Sequence, residues 1–141
     1  MRFLGIDYGT KRIGIAISDE NGTLAFPKGL VPNDLNAFKV IGDILKKENI
    51  SEVVVGESLD LKGSPNPLFK EIKIFVQELQ SKFNLPIHME REFLTSVEAR
   101  RKEGKGKNNA RKVKKQKSVK VDASAAALIL QRYLDKINLQ K

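Results

Sequence analysis

The chain has 141 residues, the size of one ordinary domain, and it carries a formal net charge of +9 with no cysteine and one histidine. This composition excludes disulfides, thiolate nucleophiles and multi-histidine or cysteine-ligated metal sites, so any bound metal must have oxygen ligands. The length also excludes architectures of two full lobes. No apolar run approaches the roughly 20 residues of a membrane helix, and the first residues resemble a strand rather than a signal peptide, so we expect a cytoplasmic protein of one domain over 1–141.

Three short strands are predicted at the start of the chain. Apolar residues alternate from Arg2 to Asp7 and again from Arg12 to Ser18, which is the period of a strand. The residues between them, 8–11, predict a tight hairpin. The pair Asn21-Gly22 favours a two-residue hairpin turn with positive backbone angles, so we expect Thr23 to Val31 to return as a third strand.

Helices and single strands alternate over the rest of the chain. The first helix is expected behind a cap at Asn33 or Asp34, with Leu35 opening its apolar stripe. The predicted elements are a helix over 33–49, strands over 52–56 and 86–92, and helices over 68–83, from 95 and over 122–137. Right-handed crossovers would place the later strands parallel to the first. We therefore predict an α/β fold with a five-stranded mixed sheet of order 3-2-1-4-5 and helices on both faces.

Positive charge is concentrated in one segment. Residues 100–120 contain eleven Lys or Arg and one acid, for a net +10, whereas the rest of the chain has a net charge of −1. Clustered lysines release counterions from phosphates together, so this asymmetry indicates a polyanionic partner, although many charge runs are simply solvated. Glycines 104 and 106 predict flexibility within the segment. The candidate nucleic-acid-binding residues are Lys11, Arg12, Arg100, Arg101, Lys105, Lys107, Arg111, Lys112, Lys114, Lys115 and Lys117.

Four acidic residues are candidates for a site at the carboxyl edge of the sheet, where ligands gather in open sheets of this kind. Asp7 ends the first strand, Glu57 follows the fourth, Glu92 ends the fifth and Asp122 opens the last helix. Carboxylates suit Mg²⁺ or Mn²⁺, and two such ions can activate a water and stabilise the leaving oxygen in a displacement at phosphorus. Structural roles stay open for all four, as a turn former, a helix N-cap or solvated loop acids.

The segment Gly5 to Asp19, GIDYGTKRIGIAISD, closely resembles the opening of the YqgF (RuvX) family of RNase H-like proteins. The likeness continues in Val54-Val55-Gly56 with Gly63-Ser64, in Leu94 to Ala99, and in Lys120 to Ala123 with Ala125-Ala126, Ile129-Leu130 and Tyr133-Leu134. The resemblance implies a metal-dependent endonuclease that processes the 5′ end of precursor 16S rRNA in ribosome biogenesis. It places Asp7, Glu92 and Asp122 at the family's acidic positions.

The chain departs from the family pattern in one motif. Where the family usually reads Asp-Glu-Arg, this chain has Arg91-Glu92-Phe93, so the Glu is kept without its acidic and basic neighbours. The Leu that usually follows Val-Val-Gly is Glu57 here. We therefore hypothesise that Glu57 supplies an additional carboxylate to the metal site.

Two other functions are open at this point, and the length of the chain argues against a third. The chain could be a Holliday junction resolvase, for which a homodimer is expected, whereas trimming an RNA end requires only a monomer. It could also be a non-catalytic RNA-binding factor that acts on ribosomal particles. The segment Gly5 to Thr10 also resembles the first phosphate loop of actin-like ATPases and sugar kinases, but those proteins need a second lobe that 141 residues do not provide.

Overall fold

The computed structural model describes residues 1–59, 68–93 and 123–140, and of positions 58, 59, 92 and 93 the backbone alone. Its elements are β1 (Arg2–Tyr8), β2 (Arg12–Ser18), β3 (Ala25–Pro32), α1 (Ala37–Lys47), β4 (Ile50–Leu59), α2 (Leu68–Phe83), β5 (Ile87–Phe93) and α3 (Ala123–Leu139). The strands form one sheet of order β3-β2-β1-β4-β5. β1 pairs antiparallel with β2 and parallel with β4, and β5 pairs parallel with β4. The predicted sheet order is confirmed.

Helices cover both faces of the sheet, as predicted. Leu4 and Ile6 of β1 belong to the larger core, which they share with Ile41 of α1 and Ile72 of α2. Phe3, on the other face of β1, belongs to the smaller core under α3. Successive residues of a strand point to opposite faces, so the alternation in β1 assigns each side chain to one of the two cores.

Helix α3 lies close to β1 and runs antiparallel to it. A Cβ built on Gly5 would lie 2.7 Å from the Cβ of Leu130 and 3.0 Å from the carbonyl oxygen of Ala126, so only a glycine allows this approach. Phe3, earlier in β1, contacts Tyr133, later in α3, with ring centroids 6.0 Å apart. Contacts move backward along α3 as they move forward along β1. The end of β1 therefore lies toward the start of α3.

The start of α1 differs from the prediction. The helix begins at Ala37 behind Asn36, because Asp34 holds a turn ahead of it: its carboxylate accepts the N–H of Asn36 at 2.9 Å. Leu35 lies in this turn and is fully exposed, so the prediction that it opens the apolar stripe is wrong. The helical spacing of Leu35 in the sequence does not distinguish the helix from the turn that precedes it.

The β2–β3 connection is longer than the predicted two-residue turn. Gly22 has a positive φ of 68°, but Asn21 does not, so the mirror-image turn is not formed. Asp19 organises the loop instead, since its carboxylate accepts the hydroxyl of Thr23 at 2.6 Å and the N–H groups of Thr23 and Leu24 at 2.8 and 3.2 Å. These bonds, the Thr23 hydroxyl first, hold the pKa of Asp19 below its usual range.

Part of the sequence interpretation lies outside the described residues. This applies to the helix expected from residue 95 and to the basic segment, 100–120, together with its expected flexibility. Within the part of the chain that the structure describes, no helix is both long enough and apolar enough to cross a membrane.

Candidate functional site

Asp7 lies at the carboxyl end of β1, on the face of the sheet that α3 covers. Its neighbour Ile6 belongs to the core of the opposite face. Tyr8, on its other side, packs against Phe75 of α2 with ring centroids 4.9 Å apart. Since strand side chains alternate, Asp7 points to the α3 side, where it is partly exposed.

The start of α3 lies at the level of Asp7. Two residues along a strand advance about 6.6 Å, and four residues along a helix advance about 6 Å. Because Gly5 meets Ala126 and Leu130, Asp7 is level with the first turn of α3, which begins at Ala123. Asp122 precedes Ala123 in the sequence and is itself outside the described residues.

The backbone of β5 brings position 92 to the same edge of the sheet. Ile6 of β1 pairs with Val55 of β4, and Ser58 of β4 pairs with Glu92 of β5. Both ladders are parallel, so the carboxyl ends of these three strands share one edge. Neighbouring strands are about 4.8 Å apart, which separates β1 from β5 by about 10 Å. The side chain of Glu92 is not among those described.

Glu57 does not join Asp7 in the structure. It follows Val55 by two residues in β4, so it belongs to the face that α2 covers. It lines a cavity of about 230 Å³ together with Phe69 and Lys73 of α2. The sheet therefore lies between Glu57 and Asp7, and this geometry does not support Glu57 as a ligand in the same site. Glu57 thus lies at the predicted edge of the sheet but on the opposite face from Asp7.

Two predicted nucleic-acid-binding residues lie at this edge, one in the loop between β1 and β2 and one at the start of β2. Lys11 and Arg12 are both exposed. Asn33 braces the loop: its side-chain amide donates to the carbonyl of Gly9 at 2.8 Å, and its backbone N–H donates to the carbonyl of Lys11 at 2.9 Å. The prediction that Asn33 caps the first helix is wrong, since α1 begins at Ala37 behind Asn36. The strand register, which pairs Arg12 with Pro32, is the signal that could have found its role in the loop.

The chemistry of the candidate donors suits a hard divalent cation. Among the described residues, no three acidic or histidine side chains are close enough together to hold a metal. Of the acids proposed from the family motifs, Asp7 is the one with a described side chain. The single histidine of the chain, His88, is bonded through Nε2 to Glu52 at 2.5 Å. A set of carboxylates without cysteine or an available histidine fits Mg²⁺ or Mn²⁺ better than zinc.

A polar cluster, the β5–α3 cluster, was not predicted from the sequence. Glu90 is 3 % exposed, and both of its carboxylate oxygens accept hydrogen bonds from Nζ of Lys136, at 2.8 and 2.9 Å. His88 stacks on Tyr133 with ring centroids 5.0 Å apart. Burial raises the pKa of the Tyr133 hydroxyl, and the carboxylates of Glu52 and Glu90 add to this rise.

The sheet order and the helices on both faces define an RNase H-like fold. A solved structure of the fowlpox virus resolvase, bound to its substrate Holliday junction DNA, shares this fold with a TM-score of 0.54. The alignment covers 97 % of this chain and 99 % of the viral chain at 13 % sequence identity, so it supports the fold alone.

The family follows from the sequence comparisons. The family model described as "RuvX: Holliday junction resolvase" matches residues 1–136, and the chain belongs to this family. A relative from Sulfurihydrogenibium sp. (strain YO3AOP1), named "Putative pre-16S rRNA nuclease", is 36 % identical over 97 % of this chain and 92 % of its own length. A relative of the same name from Thermoanaerobacter pseudethanolicus is 36 % identical over 96 % of both chains. The resemblance seen in the motifs is confirmed.

Proposed function

We propose that the chain is a metal-dependent endonuclease that hydrolyses phosphodiester bonds, and that its substrate is precursor 16S rRNA in the cytoplasm. Membership of a resolvase family supports a nuclease, and the names of the relatives support the rRNA substrate. One structural observation carries the assignment of the site. The close, antiparallel packing of α3 on Gly5 brings Asp7 level with the start of the helix that Asp122 precedes in the sequence.

In the proposed site, carboxylates bind the metal ions, and lysine and arginine side chains bind the phosphates of the substrate. Asp7, Glu92 and Asp122 provide oxygen ligands for two Mg²⁺ or Mn²⁺ ions. When bound, such ions supply a nucleophilic water at neutral pH and stabilise charge on the leaving oxygen. Lys11, in the braced β1–β2 loop, and Arg12, at the start of β2, bind phosphates beside the cut, and the basic segment extends this contact along the substrate backbone.

Matched substitutions of two glutamates test this site. In Glu92→Gln the amide removes the charge of a proposed ligand, so cleavage of a labelled precursor 16S rRNA fragment should fall by about a hundredfold or more, since even outer-shell partners cost 10–100-fold. Asp7→Asn should show the same loss. Glu57→Gln is the control, because it makes the same chemical change at the same edge but on the α2 face. Rates are measured with Mn²⁺ and Mg²⁺, with circular dichroism to verify folding.

The outcomes separate this proposal from its alternatives. Undiminished cleavage in folded Asp7→Asn and Glu92→Gln would contradict the proposed site. Cutting of a synthetic four-way junction in preference to the RNA would favour the DNA resolvase, for which the family description is the support. Tight RNA binding by the wild-type chain without metal-dependent cleavage would instead favour a non-catalytic assembly factor. The oligomeric state, measured on the same samples, decides whether paired cuts are possible.

A further inference from the structure

Strand β5 is attached to α3 by polar contacts instead of apolar packing. Among the described residues, the apolar core under α3 takes Phe3 from β1, Ala16 from β2 and Val54 from β4, but nothing from β5. On this face β5 presents His88 and Glu90 to the helix. The described structure places β5 at the edge of the sheet, with β4 as its one neighbour. The ladder to β4 fixes β5 within the sheet, and the described contacts that join β5 to α3 on this face are those of the β5–α3 cluster.

The ion pair between Glu90 and Lys136 is the firmest of these contacts. A buried carboxylate is costly unless it is paired and hydrogen-bonded, which ties the Glu90 side chain to its partner. Both oxygens of Glu90 accept from the same ammonium, whereas the Lys136 side chain remains 61 % exposed. Lys136 of α3 thus contacts β5 through its long side chain, and the buried carboxylate of Glu90 is its fixed partner on the strand.

This ion pair connects the two elements that carry proposed ligands. Glu90 precedes Glu92 by two residues in an extended strand, a distance of about 6.6 Å. Asp122 immediately precedes α3, which is held to β1 at Gly5. The contact at Gly5 fixes the helix to β1, and the ion pair fixes it to β5.

We propose that Lys136 is a positioning residue: through Glu90 it holds β5 against α3 and so sets the place of Glu92 relative to Asp7 and Asp122. The inference rests on the proposed function, because it assumes that these acids bind a divalent cation together. Lys136 itself contacts neither substrate nor metal in this assignment.

The test is the affinity of the full-length chain for Mn²⁺, measured by calorimetry, with substitution at Lys136. Lys136→Met keeps the length of the side chain but cannot pair with Glu90, and we expect it to weaken Mn²⁺ binding by about tenfold or more, the loss typical of outer-shell partners. The direction is diagnostic. Removing a positive charge near a cation site would by electrostatics alone strengthen Mn²⁺ binding, so weaker binding requires displaced ligands. Lys136→Arg, which keeps the charge, should bind nearly as the wild type does.

Gln131→Ala is the control for general loosening of α3. The Gln131 amide accepts the N–H of Ala25 and donates to the carbonyl of Thr23, both at 2.9 Å, so it ties the same helix to the opposite edge of the sheet. It should lower the melting temperature without changing Mn²⁺ affinity. If Lys136→Met folds poorly, Lys136→Gln is measured in its place and should shift affinity in the same direction.

Each outcome decides one of the two proposals. Unchanged or tighter Mn²⁺ binding in the folded Lys136 variant, alongside loss of binding in Asp7→Asn, overturns the positioning role and leaves the nuclease site standing. An equal loss in Gln131→Ala also overturns it, because the effect would then be general. If Asp7→Asn binds Mn²⁺ as tightly as the wild type, the proposed metal site itself fails and the positioning role fails with it.

Discussion

Asp7 and Asp19 show how neighbouring structure gives two acids of the same motif different roles. Each stands at or just past the end of a strand within the segment 5–19 that resembles the family. The Asp19 carboxylate is saturated by the hydroxyl of Thr23 and two backbone N–H groups, and the loop closes around it. Asp7 instead lies beside α3 at the edge where the parallel strands end. The assignment of Asp19 as structural follows from these bonds and not from its place in the motif.

The lowered pKa of Asp19 predicts how the stability of the protein depends on pH. Because the folded-state pKa lies below the usual value of about 3.9, the charged form contributes stability above that pH, and the contribution is lost as pH falls through the folded-state pKa. Asp19→Asn should therefore lower the melting temperature by a constant amount between about pH 7 and 5, and this difference should begin to shrink below about pH 4 and vanish as the pH falls through the folded-state pKa. Thermal unfolding followed by circular dichroism measures this, with Glu20→Gln in the same loop as the control for net charge. If the difference in melting temperature between Asp19→Asn and the wild type is unchanged at about pH 3, the negative charge of Asp19 does not contribute to stability.

At the scale of elements, the placement of α3 decides whether there is a site. Gly5 lies under the helix backbone, and Gly56 of β4 lies under Ile129. With these two positions lacking a side chain, the helix can rest directly on the centre of the sheet. This close approach is what brings the start of α3 to the end of β1.

The two glycines should respond differently to the same substitution. In Gly5→Ala the new methyl would lie 2.7 Å from the Cβ of Leu130 and 3.0 Å from the carbonyl oxygen of Ala126, atoms that cannot yield unless the helix moves. We expect a loss of about 1–3 kcal/mol in the free energy of unfolding, as for other overpacked cores, together with reduced cleavage because the start of α3 shifts. Gly56→Ala meets the Cδ1 of Ile129 at 2.5 Å, the end of a side chain that can rotate, so its cost should be smaller.

Urea unfolding of both variants measures this difference. An equal or larger loss in Gly56→Ala would mean that the helix does not rest on β1 as described. Cleavage rates of both variants, compared with their free energies of unfolding, show whether activity depends on the position of α3 or only on the stability of the fold.

The types of element could be predicted from the sequence because each depends on a local period. The alternation in β1 and the helical stripe of α2 are complete within single segments, and both predictions are confirmed. Tertiary contacts could not be predicted in the same way. The bond from Asn33 to Gly9 and the pairing of Glu90 with Lys136 join residues 24 and 46 positions apart, which no local period records. The face that Glu57 occupies could have been predicted, because side chains two residues apart in a strand share a face and Val55 belongs to the core that α2 covers.

At the scale of the whole molecule, positive charge is concentrated in one segment of the sequence. The segment 100–120 carries a net +10, and the rest of the chain carries −1. In the sequence this segment lies between β5, which bears Glu92, and α3, which follows Asp122. If the segment binds the substrate, as we propose, its neighbours in the sequence include both of the proposed ligands Glu92 and Asp122. This arrangement supports recognition of the phosphate backbone more than of particular bases.

The salt dependence of RNA binding tests whether the basic segment binds the phosphates of the substrate. Four lysines of the segment are changed to glutamine in one variant, in an Asp7→Asn background that prevents cleavage. They are Lys112, Lys114, Lys115 and Lys117. Removing one phosphate-binding lysine should flatten the plot of log affinity against log salt by about 0.7 for single strands, so the slope should fall by about 3 in total.

A control variant with the same change in net charge distinguishes phosphate binding by the segment from a general electrostatic attraction between the RNA and the whole protein. It replaces four exposed lysines of the helices on the far face, which are Lys39, Lys46, Lys47 and Lys70. These lysines face away from the α3 side, so affinity should fall modestly at low salt while the slope stays near that of the parent protein. Equal slopes for the two variants would mean that the segment binds no phosphates of its own. The positive charge would then act only through the net charge of the molecule, and the segment would have no role in holding the substrate.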